Sequence, residues 1–344
     1  MELILCGSWL GRKGFYRAKI EDVKFFSKIE ELAEPETLSF IVISYDLAGE
    51  TLNLKIKKTE LPSIILLKVG KFDKIEGKQN SNTYQLSLKD KALKDSEFIY
   101  KVKKIKELIE KGTVYQINLT NRLEFNFNGD PKDLFFNFYK SQPVPYAFFL
   151  DLEEFFIISG SMELFLEKKG ETLISKPIKG TSKSLKSLKN SLKDKAENLM
   201  ITDMIRNDIG RIAHFGSVKV TELFKITKYK TLYQMHSTVE GKTSHSISSI
   251  LKETFPPASV TGAPKRKAVE IIDTLETHVR GYYCGCAGLI WDKSNFILSV
   301  LIRTAVGRGN QLSYYAGCGI VWDSDPEKEL NEKYLKIKAF YHQV

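Results

Sequence analysis

A succession of short, alternating runs fills the chain between residues 113 and 323, and a fold built around one parallel sheet has no use for so many. VYQINLTNRLEF, AFFLDL, FFIIS, MELFLEKKG, TLISKPI, the pair within SVKVTELFKITKYKTLYQMHSTVEG, YYCGCAGLIWD, NFILSVLIRTAVGR and QLSYYAGCGIVWD follow one another in that order. Each shows the period-two pattern or the β-branched and aromatic enrichment of a strand. Helical periodicity is confined to a few segments. FIYKVKKIKELIEKG ends at Gly112, a C-cap residue, and KDKAENLMITDMIRNDIG ends at Gly210. SISSILKETF, KRKAVEIIDTLE and a final segment from Pro326 complete the set. Strands follow strands instead of alternating with helices, so the expected class is α+β, with packed sheets and outer helices.

Residues 1–95 differ in texture: β-like runs such as LSFIVISYDL and SIILLKVG alternate with lysine-rich connectors and carry no assignable motif. They are expected to form a short β-rich segment packed on a main domain over 96–344. The 21 Phe and 15 Tyr need a core, which excludes disorder for most of the chain. The longest apolar stretches, such as FILSVLI over 296–302, are strand-sized, and no membrane partner is expected. MELILCGSWLG lacks a basic leader, and four cysteines in 344 residues make no disulfide framework, so a reduced cytoplasmic setting is expected. The formal charge of +10 raises nucleic acid as a partner. The densest patch, KSLKSLKNSLKDK over 183–195, has no aromatic residue for base stacking, however. It reads as a solvated loop or helix face, and no nucleic-acid partner is expected.

Chemistry concentrates in the second half. Asp194 and Glu197 lie three apart on one expected helix, and Glu329 and Glu332 repeat the spacing on the last, with Lys336 one turn on. Four carboxylates from two helices suit Mg²⁺, and two solvated acidic faces explain the spacing as well. Lys179, leaving a strand in SKPIKGT, is a candidate nucleophile if desolvation or a neighbouring cation depresses its pKa; a merely solvated lysine is the plain alternative. Arg303, within the apolar run FILSVLIRTAV, is shaped to bind a carboxylate or to close a structural salt bridge. Gly317-Cys318-Gly319 offers backbone N–H groups to an anion, or a tight strand passage. His236 stands alone.

PIKGT, KDKAENLMITDMIRNDIGR, SVTGAPKRKAVEIID, RGYYCGCAGLI, LIRTAV and AGCGIVWDSDPEKELNEKYLKIKA occur in the order of the chorismate-utilising enzymes. Over about residues 97–340 the chain resembles that family, most closely component I of aminodeoxychorismate synthase, with component I of anthranilate synthase a near relative. The first ninety-odd residues are not well covered, and against longer relatives the chain looks like a compact form. The resemblance implies two facing, mainly antiparallel sheets flanked by helices, a four-layer α/β/β/α arrangement.

The resemblance also implies roles. Glu197 and Glu332 match direct Mg²⁺ ligands, with Asp194 and Glu329 as nearby partners. Gly180, Thr181, Tyr283, Arg303, the Gly317–Cys318–Gly319 backbone and Lys336 match positions that hold chorismate, and His236 matches an active-site histidine. Lys179 matches the P-I-K-G-T lysine of aminodeoxychorismate synthases, which attacks ring C2 as the C4 hydroxyl leaves; anthranilate synthases carry P-I-A-G-T. Glu163 matches the general acid of an S-P-E motif, with Met162 here in the proline's place. Gln116 stands where isochorismate-forming enzymes use a lysine base, which disfavours those activities. The chain has no glutaminase signature and no lyase domain, so the resemblance implies a separate glutaminase subunit as ammonia source and a downstream lyase. The family's tryptophan-feedback element P-Y-M reads Pro145-Tyr146-Ala147 here.

Overall fold

The computed structural model describes residues 1–32, 35–77, 84–229, 232–338 and 340–341. The class is mixed α+β, and every strand pairing in it is antiparallel. In one half, Glu2–Gly7 lies between Phe15–Phe26 and Tyr146–Asp151. The half continues through Phe156–Ser161, Thr304–Arg308, Gln311–Ile320 and Gln116–Gly129 to Tyr84–Lys91. In the other, Ile64–Ile75 is followed by Ser39–Ile43, Cys286–Asp292, Asn295–Val300, Leu164–Lys169, Thr172–Lys176 and Tyr233–Lys242. That last strand also takes Ile178–Ser182 and Lys219–Lys228.

The two halves are one hydrogen-bonded network, because the long strands Phe15–Phe26 and Ile64–Ile75 pair with each other and belong to both. Their register shifts twice between Ala18 and Asp22, and bulges of this kind bend a strand pair. Strands from residues 1–95 are therefore interleaved with later ones: Glu2–Gly7 with Tyr146–Asp151, and Ser39–Ile43 with Cys286–Asp292.

Period-two alternation explains the layering of the core. Leu3, Leu5, Phe148, Leu150 and Ile157 of the first half share one cluster with Phe40, Val42, Leu67, Leu289 and Ile297 of the second. Their neighbours point outward. Ile4, Phe149 and Ile158 pack with Leu134 and Phe135, and Ile41, Ile43 and Leu298 pack with Ile201, Ile205, Ile250 and Leu251.

Two elements differ from the sequence reading. The run NFILSVLIRTAVGR is not one strand: it divides into Asn295–Val300 and Thr304–Arg308, with Arg303 between them at φ +54°. PKDLFFNFYKS, to which no element was assigned, is the helix Pro131–Ser141. Its start is set by Asp130, which accepts from Lys132 N at 2.8 Å, and by Pro131 in the first turn.

Phe148→Ala empties a fully buried site in the shared inner cluster. It should cost about 3–5 kcal/mol in denaturant unfolding, whereas Phe25→Ala, at an exposed ring, should stay within about 0.5 kcal/mol. Equal losses would show that the inner cluster does not carry the stability.

Candidate active site

Strand pairing sets the floor of the site. Gln311–Ile320 runs beside Gln116–Gly129, placing Gly317 opposite Thr120 and Gly319 opposite Asn118. A Cβ on Gly319 would stand 2.5 Å from Gln116 Nε2, 3.2 Å from Lys179 Nζ and 3.3 Å from Glu197 Oε2. Three side chains from three separate elements thus converge on one hydrogen-only position. Lys179 arrives on Ile178–Ser182, a short strand whose Ile178 pairs with His236. It is therefore the second residue of a strand and not, as the sequence suggested, at the end of one. Glu197 comes from the helix Leu192–Gly210, capped by Ser191, whose hydroxyl accepts from Asp194 N. Gly180, at φ +88°, is pressed on Asp194 and Leu188, both within 3.0 Å of where its Cβ would stand.

Glu163 is buried at the turn between Phe156–Ser161 and Leu164–Lys169. Its Oε1 accepts from Ile178 N at 3.4 Å, and the Ser259 side chain lies near the carboxyl. Burial pushes its pKa up to about 7, against the influence of Ser259, the nearby Lys179 charge and the Ile178 N–H.

The acidic cluster combines both helices. Glu329 is buried, and its Oε1 accepts from Ser324 Oγ at 2.7 Å and Lys193 Nζ at 2.9 Å. The same ammonium lies 3.8 Å from Glu197 Oε1. Burial pushes Glu197 up to about 6; Lys179 and Lys193 oppose this, and the charges of Glu329 and Glu332 add to it. Glu332 is held below the usual carboxylate range, chiefly by Lys336, whose Nζ lies 2.7 Å from its Oε1 and donates to Gly317 O at 2.8 Å. Cys318 Sγ shares a 4.8 Å neighbourhood with Glu329 and Glu332. Burial pushes that thiol up to about 12, and it donates to Glu329 O at 3.3 Å, so only the carboxylates offer ligands for a hard cation. A lysine bridging Glu329 and Glu197 marks where positive charge is favourable. Glu329 and Glu332 lie together, Glu197 is linked to Glu329 through Lys193, and such oxygen donors suit Mg²⁺, while Asp194 lies against Gly180.

The remaining sequence-derived residues are placed as follows. Arg303 has no salt bridge among the described residues; its guanidinium donates to Lys336 O at 2.6 Å. Tyr283 is buried and stacks on Tyr315, centroids 5.2 Å apart. His236 is half-buried, with Nε2 3.0 Å from Thr227 Oγ1, and burial lowers its pKa. Thr181 is exposed, opposite Gln234. Sequence reasoning named Gln116 only for the lysine it replaces, and missed Ser259 and Lys193. Ser259 sat unremarked in the turn PPASVTGAPK, and Lys193 in the patch read as solvated.

The sequence pattern of the chorismate binding enzyme family matches residues 23–342. The chain belongs to the chorismate-binding enzymes. It is 37% identical over 268 residues to an anthranilate synthase component 1 of Saccharolobus solfataricus, covering 74% of this chain and 64% of that protein. It is 38% identical over 256 residues to an aminodeoxychorismate synthase component 1 of Escherichia coli, covering 71% and 56%. The match thus spans less than two thirds of either relative's length. The anthranilate synthase component I structure from Streptococcus pneumoniae superposes with a TM-score of 0.77 at 22% identity, covering 99% of this chain and 90% of that one. At that identity the likeness speaks for the fold. No helix among the described residues is long and apolar enough to cross a membrane.

A pH prediction follows from Glu163. Its unfolded carboxyl titrates near about 4.3, so between that pH and about 7 the folded protein holds a proton that the unfolded chain has released. The stability so contributed is full below the lower value and is lost as pH rises through about 7. Glu163→Gln should therefore raise the melting temperature, relative to wild type, more at pH 8 than at pH 5. A difference independent of pH would mean that the carboxyl titrates normally.

Proposed function

We propose that this chain is component I of an aminodeoxychorismate synthase, forming 4-amino-4-deoxychorismate from chorismate and ammonia. The observation that carries the reading is the Lys179 amine, set beside Glu197 and Gln116 at Gly319, with its charge felt by the buried acid Glu163. Ammonia comes from a glutamine amidotransferase subunit, a role that the "component 1" names of the relatives suggest, and a separate lyase removes pyruvate downstream. The same reading takes the bent network, with helices packed on its outward residues, as a four-layer α/β/β/α stack.

Chorismate is a dianion, and Arg303, Lys336 and the Gly317–Gly319 backbone supply the donors that such a ligand needs. Glu197 and Glu332 would hold Mg²⁺, with Glu329 and Asp194 near them, and the ion would supply positive charge to offset their repulsion and to meet a substrate carboxylate. In its free-amine form Lys179 forms a bond to ring C2 while the C4–O bond breaks, and Glu163 gives the departing hydroxide its proton, leaving as water. Ammonia then bonds to C4, the Lys179 nitrogen departs from C2 with its electron pair, and the amino group ends para to the ring carboxylate. A carboxyl with a pKa of about 7 is suited to hold and release that proton near neutrality.

The Saccharolobus relative supports a second reading, anthranilate synthase component I, in which ammonia adds at C2 without a covalent adduct. Incubation with chorismate, Mg²⁺ and ammonium, with the amino product identified, decides between the two.

Lys179→Ala should lower formation of the para-directed product at least about 100-fold and leave the KM for chorismate within about threefold. Mass spectrometry of the wild type with chorismate and no ammonia should find an adduct on Lys179. An alanine variant as fast as wild type would end the covalent mechanism. Glu197→Gln and Glu332→Gln should each keep the wild-type melting temperature within a few degrees and lose turnover. Activity that survives both substitutions and a chelator would return these carboxylates to plain solvated faces.

A further inference from the structure

Behind the floor of the site lies a buried cluster that the mechanism does not use. Arg280 is 3% exposed. It donates from Nε to Glu276 Oε2 at 2.9 Å and from NH2 to Glu276 Oε1 at 2.7 Å. NH1 also reaches Val260 O at 2.8 Å, and NH2 reaches Asn118 O at 2.7 Å. Those two carbonyls belong to the two segments that must meet for the site to form. Val260 follows Ser259, whose side chain lies close enough to the Glu163 carboxyl to lower its pKa. Asn118 pairs with Gly319, two residues from Gln116. Glu276 holds the same strand again, accepting from Thr120 N at 2.8 Å, and Thr120 pairs with Gly317.

We propose that Arg280 is a positioning residue: it clamps the Ser259 turn to the strand beneath Gly317–Gly319, and so fixes the acid Glu163 relative to the Lys179 amine. The inference rests on the reading given under Proposed function and adds a residue to that site. A purely structural ion pair needs only Glu276, and such buried pairs are replaceable by apolar side chains without loss of stability. Joining two carbonyls and a carboxylate at once needs the rigid, five-donor plane of a guanidinium, which a lysine does not possess. Displacements of about 1 Å at a reacting centre cost on the order of 100-fold in rate, so a bridge remote from substrate has leverage on turnover.

The test uses Arg280→Lys, which keeps the charge opposite Glu276 but cannot span both carbonyls. It should lower kcat about 10- to 100-fold with KM for chorismate within about threefold. The titration of Glu163, followed by infrared difference against Glu163→Gln, should move to higher pH, because the Ser259 side chain that lowers its pKa is no longer held in place. A role confined to stability would lower the melting temperature and leave that titration where it is. Should the lysine variant not fold, the paired Arg280→Met/Glu276→Met protein removes both buried charges and gives the same infrared readout. An unmoved Glu163 titration in either folded variant, with wild-type kcat in the lysine variant, overturns the clamp. The infrared measurement needs no turnover, so a different amino product would revise the proposed reaction and leave this test intact.

Discussion

Everything chemical in this structure depends on the close approach at Gly319. Gln116, Lys179 and Glu197 come from a strand of one half, a strand of the other and a covering helix, and their polar tips all lie within 3.3 Å of one missing side chain. The approach is possible because Gly317–Gly319 lies in register with Thr120–Asn118, and because the strands Phe15–Phe26 and Ile64–Ile75 join the two halves into one bent network. A shift of one residue in the 116–129 pairing would turn Gln116 away and bring Ile117 to the glycine.

The second dependence is electrostatic. Glu163, Glu197 and Glu332 are all carboxylates, yet their neighbours drive them apart. Glu163 and Glu197 are raised by burial, whereas Lys336 at 2.7 Å lowers Glu332. Glu163 has Ser259 and a backbone N–H to temper burial; Glu197 has two like charges that reinforce it. One set of residue types thereby yields a carboxyl that keeps its proton to near neutrality and a group of carboxylates that crowd one another's charge.

Much of the fold class was legible because period-two alternation is written locally. The strand over VYQINLTNRLEF, the helix ending near Gly112 and the helix from Pro326 each lie within a few residues of their structural bounds. The failures have local causes. NFILSVLIRTAVGR reads as a single strand because nothing in its composition marks the positive φ of Arg303. The aromatic density of PKDLFFNFYKS conceals a helix whose rings Phe135, Phe136 and Phe138 are buried beneath the sheet. Lys193 looked like one more solvated lysine, and only the packing of two helices showed it between Glu329 and Glu197.

By itself the sequence offered the candidates: Lys179 leaving a strand, carboxylates spaced three apart on two helices and, through the family resemblance, Glu163. It also carried the ordered motifs that identify a chorismate-binding enzyme. Tertiary structure decided which of these meet. Convergence on Gly319 joins residues 116, 179, 197 and 319, and the Arg280 bridge joins 118, 260, 276 and 280. Contacts between distant segments leave no periodicity or spacing in the chain. They arise only when strand register and burial bring the segments together, and burial is also what moves the pKa values of Glu163 and Glu197.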